Sequence, residues 1–363
     1  MKKILSNLSI FLLTVQVFSN GLNLKENYEL IVSDLNNPWS FVFLSEKSML
    51  ITEKEGELIH FENGIKTSIN GLPDIVDLGQ GGLLDIELHP NYKDNGWIYI
   101  TYASSNDDKN GANTSLMRFK ISGNKITNKE LLYSATPNSK KGQHFGSRII
   151  FDDNNDLYFS IGDRGNRNVN PQNIKRDGGK IYRLYDDGSI PIDNPFVKDR
   201  YAKKAIFSYG HRNPQGIAIN PLTNEIWIHE HGPRGGDEIN IISPGKNYGW
   251  PLASYGVNYI GTKFTDNTTL KGMEDPIHYW VPSIAPSGMV FVTSDMYPKL
   301  KNNLLIGSLK FEYLHMCVLE GEKVIREEKL FEGIGRVRSL EIGPKGFVYV
   351  GVENLGIIKI LPN

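Results

Sequence analysis

The sequence predicts an all-β protein, a six-bladed β-propeller of four-stranded antiparallel blades. Three observations predict it. A pair of short apolar segments joined by a turn recurs six times, and weaker apolar runs after each pair leave room for two further strands. The segments are rich in β-branched and aromatic residues, and 36 Gly and 18 Pro provide frequent turns. No composition shift or linker interrupts the pattern, so one domain over 21–363 is expected.

Taken in order, the pairs begin with Trp39-Ser40-Phe41-Val42-Phe43 and Met49-Leu50-Ile51, then Leu84-Asp85-Ile86-Glu87-Leu88 and Trp97-Ile98-Tyr99-Ile100. Ile149-Ile150-Phe151 is followed by Leu157-Tyr158-Phe159, and Ile217-Ala218-Ile219 by Ile226-Trp227-Ile228. The last two are Met289-Val290-Phe291 with Leu304-Leu305-Ile306, and Leu340-Glu341-Ile342 with Phe347-Val348-Tyr349-Val350. Turn residues such as Asp152-Asp153-Asn154-Asn155 and Gly343-Pro344-Lys345-Gly346 make each pair a hairpin. Asn27-Tyr28-Glu29-Leu30-Ile31-Val32 is the candidate strand that closes the ring beside Gly356-Ile357-Ile358-Lys359-Ile360.

The start of a hairpin's first strand and the end of its second lie at one end, so the sequence says which residues share a rim. Before first strands stand Gln80-Gly81-Gly82, Gln143-His144-Phe145-Gly146, Arg212-Asn213 and Arg336-Val337-Arg338. After second strands stand Gly162-Asp163-Arg164-Gly165, His229-Glu230-His231-Gly232-Pro233 and Gly307-Ser308-Leu309-Lys310. The opposite tips hold ordinary turn residues. Convergence of His, Arg, Lys, Gln and Asn on one rim, with glycines that admit close approach, is a binding-site pattern.

The formal charge of -1 provides no global field for nucleic acid or an anionic membrane, so recognition by charge must be local. Cys317 is the sole cysteine, which excludes an intramolecular disulfide and a thiolate metal cluster; its apolar run marks it as packing. Lys2 and Lys3 before a mostly apolar stretch over 4–18 read as a signal peptide over 1–20, and hence as an exported, periplasmic or secreted protein.

Several segments are recognisable together. Gly79-Gln80-Gly81-Gly82-Leu83-Leu84, Gly162-Asp163-Arg164-Gly165-Asn166, Gly210-His211-Arg212-Asn213-Pro214-Gln215-Gly216, Gly236-Asp237-Glu238-Ile239-Asn240 and Asn247-Tyr248-Gly249-Trp250-Pro251 occur in order. The chain resembles the soluble glucose/sorbosone dehydrogenase family, in its aldose sugar dehydrogenase branch, from about Pro38 onward. The resemblance implies oxidation of an aldose at its anomeric carbon, with pyrroloquinoline quinone (PQQ) and calcium as cofactors. It implies Gln80, Arg212, Asn213, Lys310, Arg336 and Arg338 as cofactor contacts, and guanidinium groups suit the three carboxylates of PQQ.

The resemblance places the catalytic base on the Gln143-His144-Phe145-Gly146 segment, hence on His144, and imidazole suits the role because it titrates near working pH and can take the hydroxyl proton. Gln143 stands where the larger glucose dehydrogenase branch carries aspartate, so the group that orients the imidazole is left open; Asp163, beside Arg164, reads equally as half of a structural ion pair and as a functional residue. The resemblance also implies a calcium ion on the carbonyls of Gly232 and Pro233, and a second, structural ion on Glu238 and the Tyr248 carbonyl; hard cations take such oxygen ligands. Asp152, Asp153 and Asp156 lack EF-hand spacing and read as a turn. Tyr259 is the expected aromatic contact of the cofactor or sugar, with Tyr255 a second candidate, and core packing explains either equally well. No CxxCH haem motif is present, so an external electron acceptor is expected. Two alternatives stand beside this reading: a calcium-dependent lactonase-type propeller hydrolase, and a non-catalytic binding propeller.

Overall fold

The computed structural model describes residues 27–105 and 110–362; the expected signal peptide lies outside them. Twenty-four strands form six four-stranded antiparallel sheets, and one short helix, α1 (Tyr92–Asn95), is the sole α-helix among the described residues. The first strand, β1 (Tyr28–Ser33), belongs to the last blade. Blade one is β2 (Pro38–Ser45), β3 (Ser48–Glu53), β4 (Glu57–Glu62) and β5 (Ile65–Ser68). Blade two is β6 (Leu83–Leu88), β7 (Ile98–Ser104), β8 (Asn113–Ser122) and β9 (Lys125–Ser134). Blade three is β10 (Ile149–Phe151), β11 (Leu157–Ile161), β12 (Lys180–Leu184) and β13 (Ile206–Tyr209). Blade four is β14 (Pro214–Ile219), β15 (Ile226–Glu230), β16 (Asp237–Ile241) and β17 (His278–Trp280). Blade five is β18 (Pro286–Phe291), β19 (Leu304–Ser308), β20 (Tyr313–Glu320) and β21 (Lys323–Leu330). Blade six joins β22 (Val337–Ile342), β23 (Val348–Val352) and β24 (Gly356–Ile360) to β1.

All six expected hairpins pair as read, for example Phe41 with Ile51, Ile149 with Phe159 and Leu340 with Val350. The ring closes where expected, Tyr28 opposite Ile360 and Leu30 opposite Ile358.

The core lies between the blades. Each of the six blade interfaces has its own apolar cluster: Leu50 with Ile100 between blades one and two, Leu116 with Phe159 between two and three, Ile181 with Ile228 between three and four. Trp227 with Leu304 fills the next, Leu314 with Val350 the one after, and Phe41 with Ile357 the seam. Blades must therefore bury their faces against neighbours, and a single blade has no core of its own. Cys317 is wholly buried in the fourth-to-fifth cluster, in keeping with a packing role. Asp152 accepts from the backbone of Asn154 and Asp156, as a hairpin turn requires.

Candidate active site

One mouth of the ring opens into a cavity of about 1310 Å³. Its wall takes residues from loops at the starts of first strands and the ends of second strands. Gln80, Asn213, Lys310, Arg336, Arg338, Gly232 and Pro233 line it, as the rim argument expects, and Tyr259 joins them from the long connection after Trp250. Tyr259 is largely exposed at the mouth, whereas Tyr255 is stacked on Tyr279 at 3.7 Å between ring centroids and is taken up by that packing.

The rim rule reaches further than its first use. Lys54 follows β3 and Glu353 follows β23, the same positions as Lys310 after β19, and both line the cavity with Arg234. Five lining cations, Lys54, Arg234, Lys310, Arg336 and Arg338, thus face one lining carboxylate, Glu353. Lys54 is held by Asp77 at 2.6 Å. Arg336 Nε donates to Glu353 Oε2 at 2.6 Å, and Arg338 donates to Oε1 from Nε at 3.0 Å and from its terminal nitrogen at 2.5 Å. Burial works to raise the Glu353 carboxyl, but Arg338 and Arg336 outweigh it and hold it below its usual value. The two arginines are therefore both ion-paired and turned to the cavity, and Glu353 fixes their planes.

His144 and Arg212 do not line the cavity; they stand immediately behind its wall. The His144 backbone N–H donates to Gln80 Oε1 at 2.7 Å, and Arg212 donates to the His231 carbonyl at 2.8 Å. Asn213 Oδ1 accepts from Gly146 N–H at 3.1 Å, tying the His144 loop to the start of β14. The loop makes its turn with His144 at φ +59° and Gly146 at φ +63°, left-handed conformations on either side of Phe145. It passes so close to Gly162 that a Cβ there would strike the His144 carbonyl.

Asp163 orients the imidazole. His144 Nδ1 lies 2.6 Å from Asp163 Oδ1, which also accepts from Gly165 N–H at 2.7 Å; Oδ2 accepts from Trp250 Nε1 at 2.8 Å. An ionised carboxylate can only accept, so neutral His144 carries its proton on Nδ1 and leaves the Nε2 lone pair free. Burial, then the charge of Arg212, lowers the imidazole pKa against the opposing pull of Asp163. Asp163 is itself held below the usual carboxylate value: burial raises it, and His144, Arg212 and Trp250 more than reverse that.

Of the two readings of Asp163, the ion pair with Arg164 is not formed, and the carboxylate pairs with His144. The Arg164 side chain instead donates to the carbonyls of Gln143, Lys141 and Ala112, and its guanidinium lies over the Phe145 ring at 3.3 Å. The signal for the Asp163–His144 pair was present in the sequence. His144 precedes β10 and Asp163 follows β11, so one hairpin brings them to the same end.

Around the Gly232–Pro233 segment, Asp237 accepts from Gly232 N–H at 2.8 Å, from Ser283 Oγ at 2.6 Å and from Ala285 N–H at 2.9 Å. Among the described residues no donor takes the Gly232 or Pro233 carbonyl. Glu238 and Tyr248 belong to a different place, outside the cavity lining. There Asn240 bridges Glu230 and Glu238 at 3.3 and 3.4 Å, Glu230 holds His211 at 2.9 Å, and the His211 ring stacks on Tyr248 at 4.7 Å. Burial, and then the nearby charge of Glu230, pushes the Glu238 carboxyl well above its usual value. Among the described residues no three His, Cys, Asp or Glu side chains are grouped to hold a metal ion.

A six-bladed propeller with a cationic cavity and a carboxylate-oriented histidine at its wall defines the class. The family model for glucose / sorbosone dehydrogenase matches residues 35–359, and the chain belongs to that family. It is 40% identical over 345 residues to aldose sugar dehydrogenase YliI of Escherichia coli (strain K12), covering 93% of each chain. It is 30% identical over 295 residues to quinoprotein glucose dehydrogenase B of Acinetobacter calcoaceticus, covering 72% of this chain and 61% of that one. Among solved structures, the apo form of the soluble Escherichia coli aldose sugar dehydrogenase superposes with a TM-score of 0.89 at 39% identity, covering 93% of this chain and 99% of that one. The PQQ-bound aldose sugar dehydrogenase of Streptomyces coelicolor gives 0.76 at 26% identity, covering 93% and 98%. The protein is a sugar-oxidising oxidoreductase.

Proposed function

We propose that this chain oxidises aldose sugars at the anomeric carbon to lactones with PQQ and calcium ions, and passes the electrons to an external acceptor. The observation that carries the reading is the cavity of five cations against one carboxylate, with the Asp163–His144 pair behind its wall.

The residues present fit an anionic quinone. Arg336, Arg338, Lys310 and Lys54 offer charge-assisted bonds to carboxylates, with Gln80 and Asn213 as neutral partners and Arg212 adding positive charge from behind. Val257, Val281, Pro282 and Tyr259 provide apolar wall for a flat ring or a sugar face. A calcium ion at the cavity would rest on the Gly232 and Pro233 carbonyls, which are without a donor, while Asp237 fixes the segment that carries them. The second ion would lie by Glu238 and the Tyr248 carbonyl, where a cation would relieve the crowding of Glu238 and Glu230.

PQQ, held by these residues, would supply a hydride-accepting quinone, and a calcium ion beside it would supply Lewis acidity. The protein's part is the proton. Neutral His144 offers Nε2 to the anomeric hydroxyl and takes its proton, and Asp163 stabilises the imidazolium that results. Arg212 opposes that positive charge, so the imidazolium is short-lived and the proton is returned to solvent. Arg336 and Arg338, fixed by Glu353, set the register of the cofactor carboxylates. Lys2, Lys3 and the apolar stretch over 4–18 support export of the chain.

The test is reconstitution. Apoprotein given PQQ and calcium should reduce an artificial dye with an aldose and retain the absorbance of the cofactor. No dye reduction and no retained absorbance would overturn the proposal.

A further inference from the structure

Trp250 sits in the long connection between β16 and β17, far in sequence from the histidine loop, yet its indole N–H reaches Asp163 Oδ2 at 2.8 Å. We propose that Trp250 is a positioning residue of the proton-accepting pair, fixing the Asp163 carboxylate so that Oδ1 is kept for His144 Nδ1. The inference rests on the reading of His144 as the base.

The geometry separates the two carboxylate oxygens. Oδ1 serves His144 and Gly165, and Oδ2 serves Trp250. Without the indole, nothing described holds Oδ2, and the carboxylate could rotate about its Cβ–Cγ bond. Trp250 is well anchored for the task. Its backbone N–H donates to Gly210 at 2.9 Å, its carbonyl accepts from Gln172 at 2.8 Å, and Phe264 meets its ring edge-on at 5.2 Å. The other side of the contact is Arg212, whose guanidinium carbon lies 5.4 Å from the indole centroid. The charged groups that act on His144 are Asp163, Arg212 and Arg164. Trp250 touches the first and packs against the second, so it sets the balance between the group that favours the imidazolium and the group that opposes it.

The sign of its removal follows. A carboxylate that loses a donor is more basic and favours a neighbouring imidazolium more strongly, so His144 would take up its proton at higher pH. The Trp250→Phe variant, loaded with PQQ and calcium, is expected to lose about tenfold in kcat, as for one hydrogen bond to a charged group. Its sugar KM should stay within about twofold, and the acid limb of its kcat/KM profile should move to higher pH. An acid limb that stays put, or a loss confined to KM or to cofactor retention, would overturn the proposal.

A measurement on the wild-type apoprotein makes the test independent of that variant's folding and of turnover. One of the five tryptophan indole N–H resonances should shift with pH in step with the His144 imidazole, and the step should vanish in His144→Gln. Five indoles indifferent to that titration would overturn the proposal as surely. Full turnover in His144→Ala would instead remove the base assignment and leave the indole coupling standing, so the two failures are distinguishable.

Discussion

The two mouths of the central channel lie at opposite ends of the six inner strands and differ in sign. At one, Lys54, Arg234, Lys310, Arg336 and Arg338 face Glu353 alone. At the other, Asp85, Glu87 and Glu341 stand with Arg148 as the one lining cation, in a smaller space of about 240 Å³. Arg148 joins the two ends: it donates to Asp85 at 3.0 Å and to the Arg338 carbonyl at 2.9 Å. The ends answer charge crowding differently. Glu341 is pushed up to about 8 by burial and then by Asp85, and Glu87 is raised well above its usual value by burial and then by Glu341. Carboxyls so placed escape by keeping a proton, which guanidiniums near neutrality cannot do by losing one. The cationic mouth keeps its field, and on the proposed function that field meets an anionic cofactor. The acidic mouth discharges itself.

Removing His144, the proposed base, should break the functional mouth most severely. His144→Ala is expected to lower kcat by about a thousandfold, within the usual range for general-base loss, while PQQ is retained. Dye reduction and cofactor absorbance read the two separately, and retained turnover would place the base elsewhere. Arg338→Met should follow, weakening PQQ affinity by about a hundredfold while leaving sugar KM nearly unchanged, because a charge-assisted bond is lost and Glu353 is left under-paired. Titration of apoprotein with PQQ checks it, and a larger change in sugar KM would reverse the assignment. Lys54→Met should cost only severalfold in PQQ affinity, since Asp77 already holds that ammonium.

The pH behaviour sharpens the contrast. With its pKa held below the ordinary 6.5, His144 should place the midpoint of the acid limb of kcat/KM below 6.5. A limb above 6.5 would contradict the burial and Arg212 charge that lower it. The smallest effect belongs to the acidic mouth. The folded pKa of Glu341 lies above its unfolded value, so folding is favoured below the unfolded value and that stability is lost as pH rises toward about 8. Glu341→Gln, which copies the protonated form, should raise Tm by a few degrees at pH 8 and change it little at pH 5. PQQ affinity should not move; a change there would mean that the two mouths are coupled through Arg148.

How much of this was legible depended on the distance a signal had to travel. Hairpins such as Ile149–Phe151 with Leu157–Ile161 are local, and period and turn residues reveal them. The closing pair of β1 and β24 was legible because every other blade already had its strands. On the rim, residue chemistry singled out Lys310, Arg336, Arg338, Gln80 and Asn213. Lys54 was passed over because Glu53-Lys54-Glu55 reads as a solvated turn, and Glu353 because a carboxylate does not suggest an anion site. Glu87 and Glu341 were hidden inside apolar strands, where the alternation that turns them into the channel appears only once six strands are arranged around an axis. Trp250 lies 87 residues from Asp163, and no local pattern reports that contact.

The seam between β1 and β24 gives the architecture a last property. Blade six is assembled from both extremes of the folded region, and it also carries Arg336, Arg338 and Glu353. A chain still emerging has five potential blades but lacks one wall of its pocket. On the proposed function, competence to hold the anionic cofactor arises only when the circle is complete, and its retention doubles as a gauge of closure.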